Sequence, residues 1–224
     1  MARSVSARSR SGAGGRRNGG GREVIEQAAL NAFYLRGYYG TSIRDIAAAA
    51  EMTPASLYHH FASKQDILRV VMTQIMQAAL KTTRASLLRA GASPDEQLRA
   101  LMSSWVEFHA TRQIEARVGL SELNSLEDEG RRVVIALRDE QELMFREVVL
   151  RGAEEGVFHT AHPIEAARAI VNMGTAVATW FRTDGQHSAL ALSEVYAALA
   201  CAVVHSAGPP ISSSAARNDP LEAR

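Results

Sequence analysis

The sequence predicts an all-α fold, and three observations carry that expectation. Apolar residues recur with a helical period through nearly the whole chain, N-cap signals stand in front of the periodic stretches, and no segment keeps strand-like alternation over a useful length. In the first helix Ile25, Ala28, Ala29, Ala32 and Phe33 fall on one face, and Gly37 supplies the stop. A short second helix follows Thr41 or Ser42; Ser42 with Asp45 three residues on has the spacing of a capping box, and Ile43, Ile46, Ala47 and Ala50 form its inner face. Thr53 caps a third helix, with Pro54 at the first helical position, where its missing N–H costs nothing. Ser63 and Asp66 open a fourth that meets no breaker until about Arg89, a length of about 39 Å at 1.5 Å per residue. After the break at Gly91–Pro94, helices are expected at about 95–111, 113–125, 128–155, 163–183 and 190–206.

Composition narrows the function classes. The chain has 224 residues, 46% hydrophobic and 22% charged, enough to bury a sizeable core. One cysteine, Cys201, excludes an internal disulfide framework and fits a reducing cytoplasm. No run reaches the roughly 18 apolar residues of a membrane span; the nearest stretch, 164–181, is interrupted by Glu165, Arg168 and Asn172. The net charge of +1 conceals an uneven distribution, because Arg3, Arg8, Arg10, Arg16, Arg17 and Arg22 precede the first acid. A basic end on an acidic body directs that end toward a polyanion. Residues 1–21 and 207–224 are too poor in apolar side chains to offset their ordering entropy, and both are expected to be disordered, the first as a basic arm. The expected domains between them are 22–68 and 69–206.

Three short helices, the second and third joined by a tight turn, make a helix-turn-helix over residues 22–68. A helix fits the major groove of B-DNA with its N-terminal residues against base edges, which here are Thr53, Pro54, Ala55 and Ser56. Leu57 and Phe61 point inward, whereas Tyr58, His59, His60 and Lys64 offer donors for phosphate oxygens, and Arg22, Thr41, Ser42 and Arg44 flank the same surface. At these residues the sequence resembles the TetR family of transcriptional regulators, through Phe33, Gly37-Tyr38, Thr41-Ser42-Ile43-Arg44-Asp45-Ile46-Ala47, Leu57-Tyr58-His59-His60-Phe61, Lys64 and Ile67-Leu68. It departs from the family at Glu51, where Gly is usual and a left-handed backbone is implied, and at Ala55, where Gly is frequent.

The resemblance implies a homodimer joined through its last two helices, with reading heads about 34–36 Å apart on a palindromic double-stranded DNA operator. Small residues suited to that contact are Ala166, Ala167, Ala169, Gly174, Ala176 and Ala178, then Ala191, Ala197, Ala198, Ala200 and Ala202. It further implies a repressor released by a small-molecule effector, with no cofactor. Candidate pocket residues are Met102, Trp105, Phe108, His109, Arg112, Met144, Phe145, Asn172, Met173 and Trp180, with Asn124 as a further polar group and Arg117 or Arg182 near a mouth. The second half is similar to a TetR branch that answers to acyl-CoA thioesters. Two other readings compete: a nucleoid-type protein binding DNA nonspecifically through the arginine arm, and a small helical enzyme. Against the enzyme, the sequence has no nucleophile elbow, no His-Glu-x-x-His and no cysteine cluster. His159 and His162 have ligand-like spacing with no carboxylate beside them in sequence, so no metal is expected.

Overall fold

Side-chain caps set four of the helix starts. Ser42 Oγ accepts from the Asp45 amide at 3.2 Å, Thr53 Oγ1 from Ser56 at 3.1 Å, Ser63 Oγ from Asp66 at 3.0 Å and Ser93 Oγ from Glu96 at 3.2 Å. Each satisfies an amide that the helix itself cannot, worth about 1 kcal/mol. A computed structural model describes residues 17–205, with side chains from Gly20 onward. The helices are α1 (Arg17–Arg36), α2 (Ile43–Ala49), α3 (Pro54–Tyr58), α4 (Lys64–Arg89), α5 (Pro94–Thr111), α6 (Gln113–Ser121), α7 (Asp128–Glu154), α8 (Pro163–Thr175), α9 (Val177–Trp180) and α10 (Ala189–His205), with a 3₁₀ turn at Leu123–Ser125. There is no strand among the described residues, and no helix among them is long and apolar enough to cross a membrane.

Helix α1 packs on both α2 and α4, and α2 packs on α3. Ile25, Phe33, Ile46, Leu57, Phe61, Ile67 and Leu68 are fully or almost fully buried. Two backbone positions make the turns. Gly37 ends α1 at φ 69°, and Glu51 holds φ 54° in the turn between α2 and α3, the left-handed conformation expected where the family has glycine. In the second half α10 lies along α5, α7 packs on α8 and α4, and α6 leans on α1. That last contact joins the two halves, together with α4, whose first turns belong to one and whose remainder belongs to the other.

Three expected boundaries move. Helix α1 starts at Arg17 rather than after residue 21, although three glycines disfavour it. Gly21 is held against the head domain, where an added Cβ would stand 3.1 Å from His60 Nε2. The remainder of the expected arm and tail lies outside the described residues. The helix expected at 113–125 stops at Ser121, because Glu122 turns its buried carboxylate to Ser121 and Ser125 and the chain tightens into the 3₁₀ turn. The helix expected at 163–183 breaks at Ala176. There the Val171 carbonyl accepts from both Trp105 Nε1 at 3.1 Å and Thr175 Oγ1 at 2.8 Å, a back-bond of the kind that bends helices.

Phe61 is 1% exposed at the centre of the small domain. Phe61→Ala is expected to lower unfolding free energy by about 3–5 kcal/mol through the cavity it leaves, measured by urea denaturation.

Candidate nucleic-acid interface and effector cavity

The two elements that face outward from the small domain are the N-terminal turn of α3 and the start of α2. Thr53, Pro54, Ala55, Tyr58 and His59 are exposed, with Ser56 and His60 half-buried, so one contiguous surface carries two aliphatic hydroxyls, the Ala55 methyl, a phenol and two imidazoles. The inward side of the same short helix is Leu57, and Phe61 follows beneath it; the spacing therefore turns the polar residues out and the apolar ones in. Ser42 and Arg44 are also exposed, although the Ser42 hydroxyl donates to Asp45 Oδ2 at 2.7 Å and is occupied in the cap. Those bonds hold the Asp45 carboxyl below its ordinary value. Arg22 lies at the edge, its guanidinium 4.4 Å over the Phe61 ring and its Nε 3.0 Å from Glu26.

Two expected contact residues are used internally. Thr41 is 2% exposed, and its hydroxyl is directed at the carbonyls of Gly37 and Ala32 at 2.8 and 3.1 Å. Lys64 Nζ donates to the carbonyls of Tyr38 and Thr41 at 2.9 and 2.8 Å and sits 4.0 Å over the Tyr38 ring. It clamps the turn between α1 and α2 instead of reaching out to a phosphate, and the carbonyls of that turn are the partners its ammonium needs. The motif spacing showed that a lysine belongs at this position; nothing in the spacing showed which way it points.

In the second half, α4, α5, α6, α7 and α8 enclose a cavity of about 320 Å³. Of the expected pocket residues, Trp105, Phe108, His109 and Asn172 line it. Met102 and Phe145 are completely buried behind the wall, and Met144 and Met173 are partly buried against the core. Trp180 is half exposed on the outside, stacked near Tyr196 with ring centroids 6.3 Å apart. Asn124 is exposed; Arg112 sits over the outer side of Phe108 at 5.7 Å, Arg117 over Tyr34 at 5.5 Å, and Arg182 pairs with Asp184 at 3.1 Å. None of these last four lines the cavity. The cavity also takes Ile75, Met76, Gln141, Arg138 and Thr175, which sequence reasoning missed. Their helices were assigned in the sequence, but the periodicity that places a residue on an inner face does not separate core from cavity wall.

The tightest positioning is around Trp105. Gly174 lies so near that a Cβ would stand 2.5 Å from Trp105 Cδ1, and the indole N–H donates to Val171 and Thr175. Trp105 in turn meets the His109 ring at 4.3 Å. Burial lowers the His109 pKa from 6.5 to about 4, although its bond to the Trp105 carbonyl opposes the shift. At neutral pH this ring is uncharged.

A second cavity, also of about 320 Å³, lies between α1 and α4 and shares Ile75 and Phe108 with the first. At its wall Glu26 accepts from Gln74 Nε2 at 2.9 Å while holding Arg22. No group of three or more metal-ligating side chains occurs among the described residues, and His159 packs instead near His205 at 6.3 Å.

Two family models match the chain. Residues 25–71 match the model described as bacterial regulatory proteins, tetR family, and residues 91–204 match the tetracyclin repressor-like C-terminal domain. The HTH-type transcriptional repressor KstR2 of Mycobacterium tuberculosis is 28% identical over 179 residues, which cover 79% of this chain and 88% of that protein. A tetR-family regulatory protein from Rhodococcus RHA1 superposes with a TM-score of 0.77 at 28% identity, over 82% of this chain and 96% of that one. AibR, solved in complex with isovaleryl coenzyme A and operator DNA, gives a TM-score of 0.74 at 26% identity, over 80% and 97%.

The neutral imidazole has a measurable consequence. Above pH 6.5 His109 is uncharged whether folded or unfolded; between 6.5 and about 4 the unfolded chain takes the proton and the folded chain does not. Stability therefore falls as pH drops through that window, by about 3 kcal/mol in total, and levels off below it. In urea titrations from pH 7.5 to 4, His109→Phe is expected to lack this part of the acid loss.

Proposed function

The chain belongs to the TetR family of bacterial regulators, and we propose that it is a cytoplasmic repressor that reads a palindromic operator through the exposed face of α3 and releases it when a small apolar effector fills the cavity beside α4. The observation that carries this reading is α4 itself. Its first turns, with Ile67, Leu68 and Val71, are core of the head, and its next turns supply Ile75, Met76 and Ala79 to the cavity. Within that frame Thr53, Pro54, Ala55 and Ser56 read base edges, while Tyr58, His59, His60, Ser42, Arg44 and Arg22 hold the phosphate backbone. The domains follow as 22–68 for DNA and 69–206 for effector and dimer. The protein performs no chemistry on its ligand.

TetR regulators bind DNA as dimers, and α10 offers a face for that contact. Val195, Leu199 and Val203 recur every four residues and are 47%, 45% and 37% exposed. Ala198 and Ala202 lie on the same face, and Ala169 and Ala176 are exposed on and after α8. The other small residues expected there, Ala166, Ala167, Gly174, Ala178, Ala197 and Ala200, are buried within the protomer, with Ala191 half-buried. The family contact thus has a narrower strip available than composition suggested. A filled cavity moves α4 and with it the separation of the two heads. A coupling of about 1–3 kcal/mol gives a 5- to 150-fold loss of operator affinity. An acyl-CoA thioester as effector is a second reading, favoured by the similarity to AibR with its bound isovaleryl coenzyme A.

Selection of bound fragments from random DNA, followed by footprinting, is expected to return a two-fold symmetric site with discrete protection. Ser56→Ala should change preference at one base position, and Tyr58→Ala should weaken all sequences alike. Diffuse protection that disappears on deleting residues 1–16 would support the nonspecific, arm-driven reading instead. Sedimentation should show Leu199→Glu to be a monomer with operator affinity reduced about tenfold or more, since a carboxylate buried in that apolar face costs over ~1.4 kcal/mol. Effector binding should lower operator affinity while the wild-type dimer stays intact.

A further inference from the structure

Two polar side chains in the wall of the effector cavity, Gln141 and His109, make one hydrogen bond each among the described residues. Gln141 on α7 is 1% exposed; its Oε1 accepts from Thr83 Oγ1 at 2.9 Å, and its Nε2 has no hydrogen-bond partner. His109 on α5 has Nδ1 2.8 Å from the Trp105 carbonyl. A carbonyl oxygen only accepts, so Nδ1 carries the proton and Nε2 presents a lone pair. No partner for Nε2 occurs among the described residues. The ring is packed edge-on against Trp105 at 4.3 Å and Phe108 at 5.5 Å, which fixes its orientation. Gln141 Nε2 is closed to anything the size of a water molecule, so of the two side chains His109 is the one whose free ring nitrogen a bound molecule can reach.

The rest of the wall defines what could use it. Ile75, Met76, Trp105, Phe108 and Val171 supply an apolar surface. Its charged members are Arg138, Asp139 and Glu142. Arg138 donates to the Gly119 carbonyl, and Glu142 pairs with Arg168 at 3.4 Å. One cation against two carboxylates gives no net attraction for an anion, and a cation would meet Arg138. At about 320 Å³ the space is at the small end of ligand pockets, roughly 300–1,000 Å³, and suits one or two rings with a short chain.

Resting on the reading of this cavity as the effector site, we propose that it takes an uncharged, mostly apolar alcohol or phenol. The ligand hydroxyl donates to His109 Nε2. That acceptor selects the polar end of the molecule, and the apolar wall selects its body. Nothing in the lining favours a carboxylate or a nucleotide head.

Isothermal titration of the full-length protein at pH 7.5 with 4-butylphenol, 4-butylanisole, 4-butylbenzoate and butyryl-CoA tests this. The phenol has both a donor and an acceptor, and the methyl ether keeps only the acceptor. The expected result is that the phenol binds, the ether binds at least tenfold more weakly, and the benzoate and the thioester bind more weakly than the phenol. His109→Phe should bring phenol and ether within about twofold of one another. Operator binding by the variant without ligand shows that it is folded, and the wild-type comparison decides the matter should the variant fail to fold. No binding of the phenol, equal binding of phenol and ether, or tighter binding of the benzoate or of butyryl-CoA overturns the proposal. Operator release separates it from the functional reading. A phenol that binds as described and leaves the operator bound removes the effector role and keeps the cavity chemistry. Benzoate or butyryl-CoA that binds tightly and releases the operator does the reverse.

Discussion

Everything in this molecule depends on one helix being shared by two cores. The 26 residues of α4 are an unbroken run with no glycine or proline, so the helix acts as a rod over most of its length. Ile67, Leu68, Val71 and Met72 bury themselves in the core of the head beside α1, and Ile75, Met76, Ala79 and Leu80 bury themselves among α5, α6 and α7. Neither half can tilt the helix without the other repacking, because close-packed interiors transmit displacement instead of absorbing it. Polar contacts reinforce this on two sides. Gln65 near the start of α4 donates to the Ser125 carbonyl at 2.7 Å and accepts from the Glu127 amide at 3.2 Å. Gln74 donates to Glu26, which holds Arg22 at the edge of the reading surface.

The sequence made the head domain legible almost residue by residue, because local chemistry decides it. A hydroxyl three residues before an amide that needs a partner, a proline at the first helical position and a glycine at a left-handed turn are readable without knowing what packs on them. Ser42, Thr53, Ser63 and Gly37 behave accordingly, and so does Glu51, where the backbone conformation follows from the turn and not from the residue. Lys64 and Thr41 were misread for the opposite reason. Both are exposed-type residues beside an exposed surface, and only the carbonyls of the α1–α2 turn, brought in by tertiary structure, draw them inward.

The cavity was less legible. Helical periodicity places Met102, Trp105, Phe108, His109 and Phe145 on inward faces, and every one of them is buried. Whether an inward residue meets another side chain or empty space depends on what stands opposite. Gly174 shows the point: its missing side chain is what lets Trp105 lie across α8 and form the wall. A small residue in one helix thus positions a large one in another, a relation that no spacing within a single segment records.

On the proposed reading of the cavity, that geometry gives a bound small molecule a route to the reading heads. Ile75 and Phe108 are the partition between the effector cavity and the second cavity, which is bounded on its other side by Glu23, Glu26 and Leu30 of α1. Pressure on Ile75 from one side therefore has space to move into, and α1 is the element that this movement meets. Gln74 precedes Ile75 on the same turn of α4, so a displacement of that turn strains its bond to Glu26 directly. Packing that is tight along α4 and open on either side of one isoleucine leaves that side chain room to shift, and a switch of about 1–3 kcal/mol requires such room. A solid core at this point would resist the ligand, and a wider void would absorb it without moving the heads.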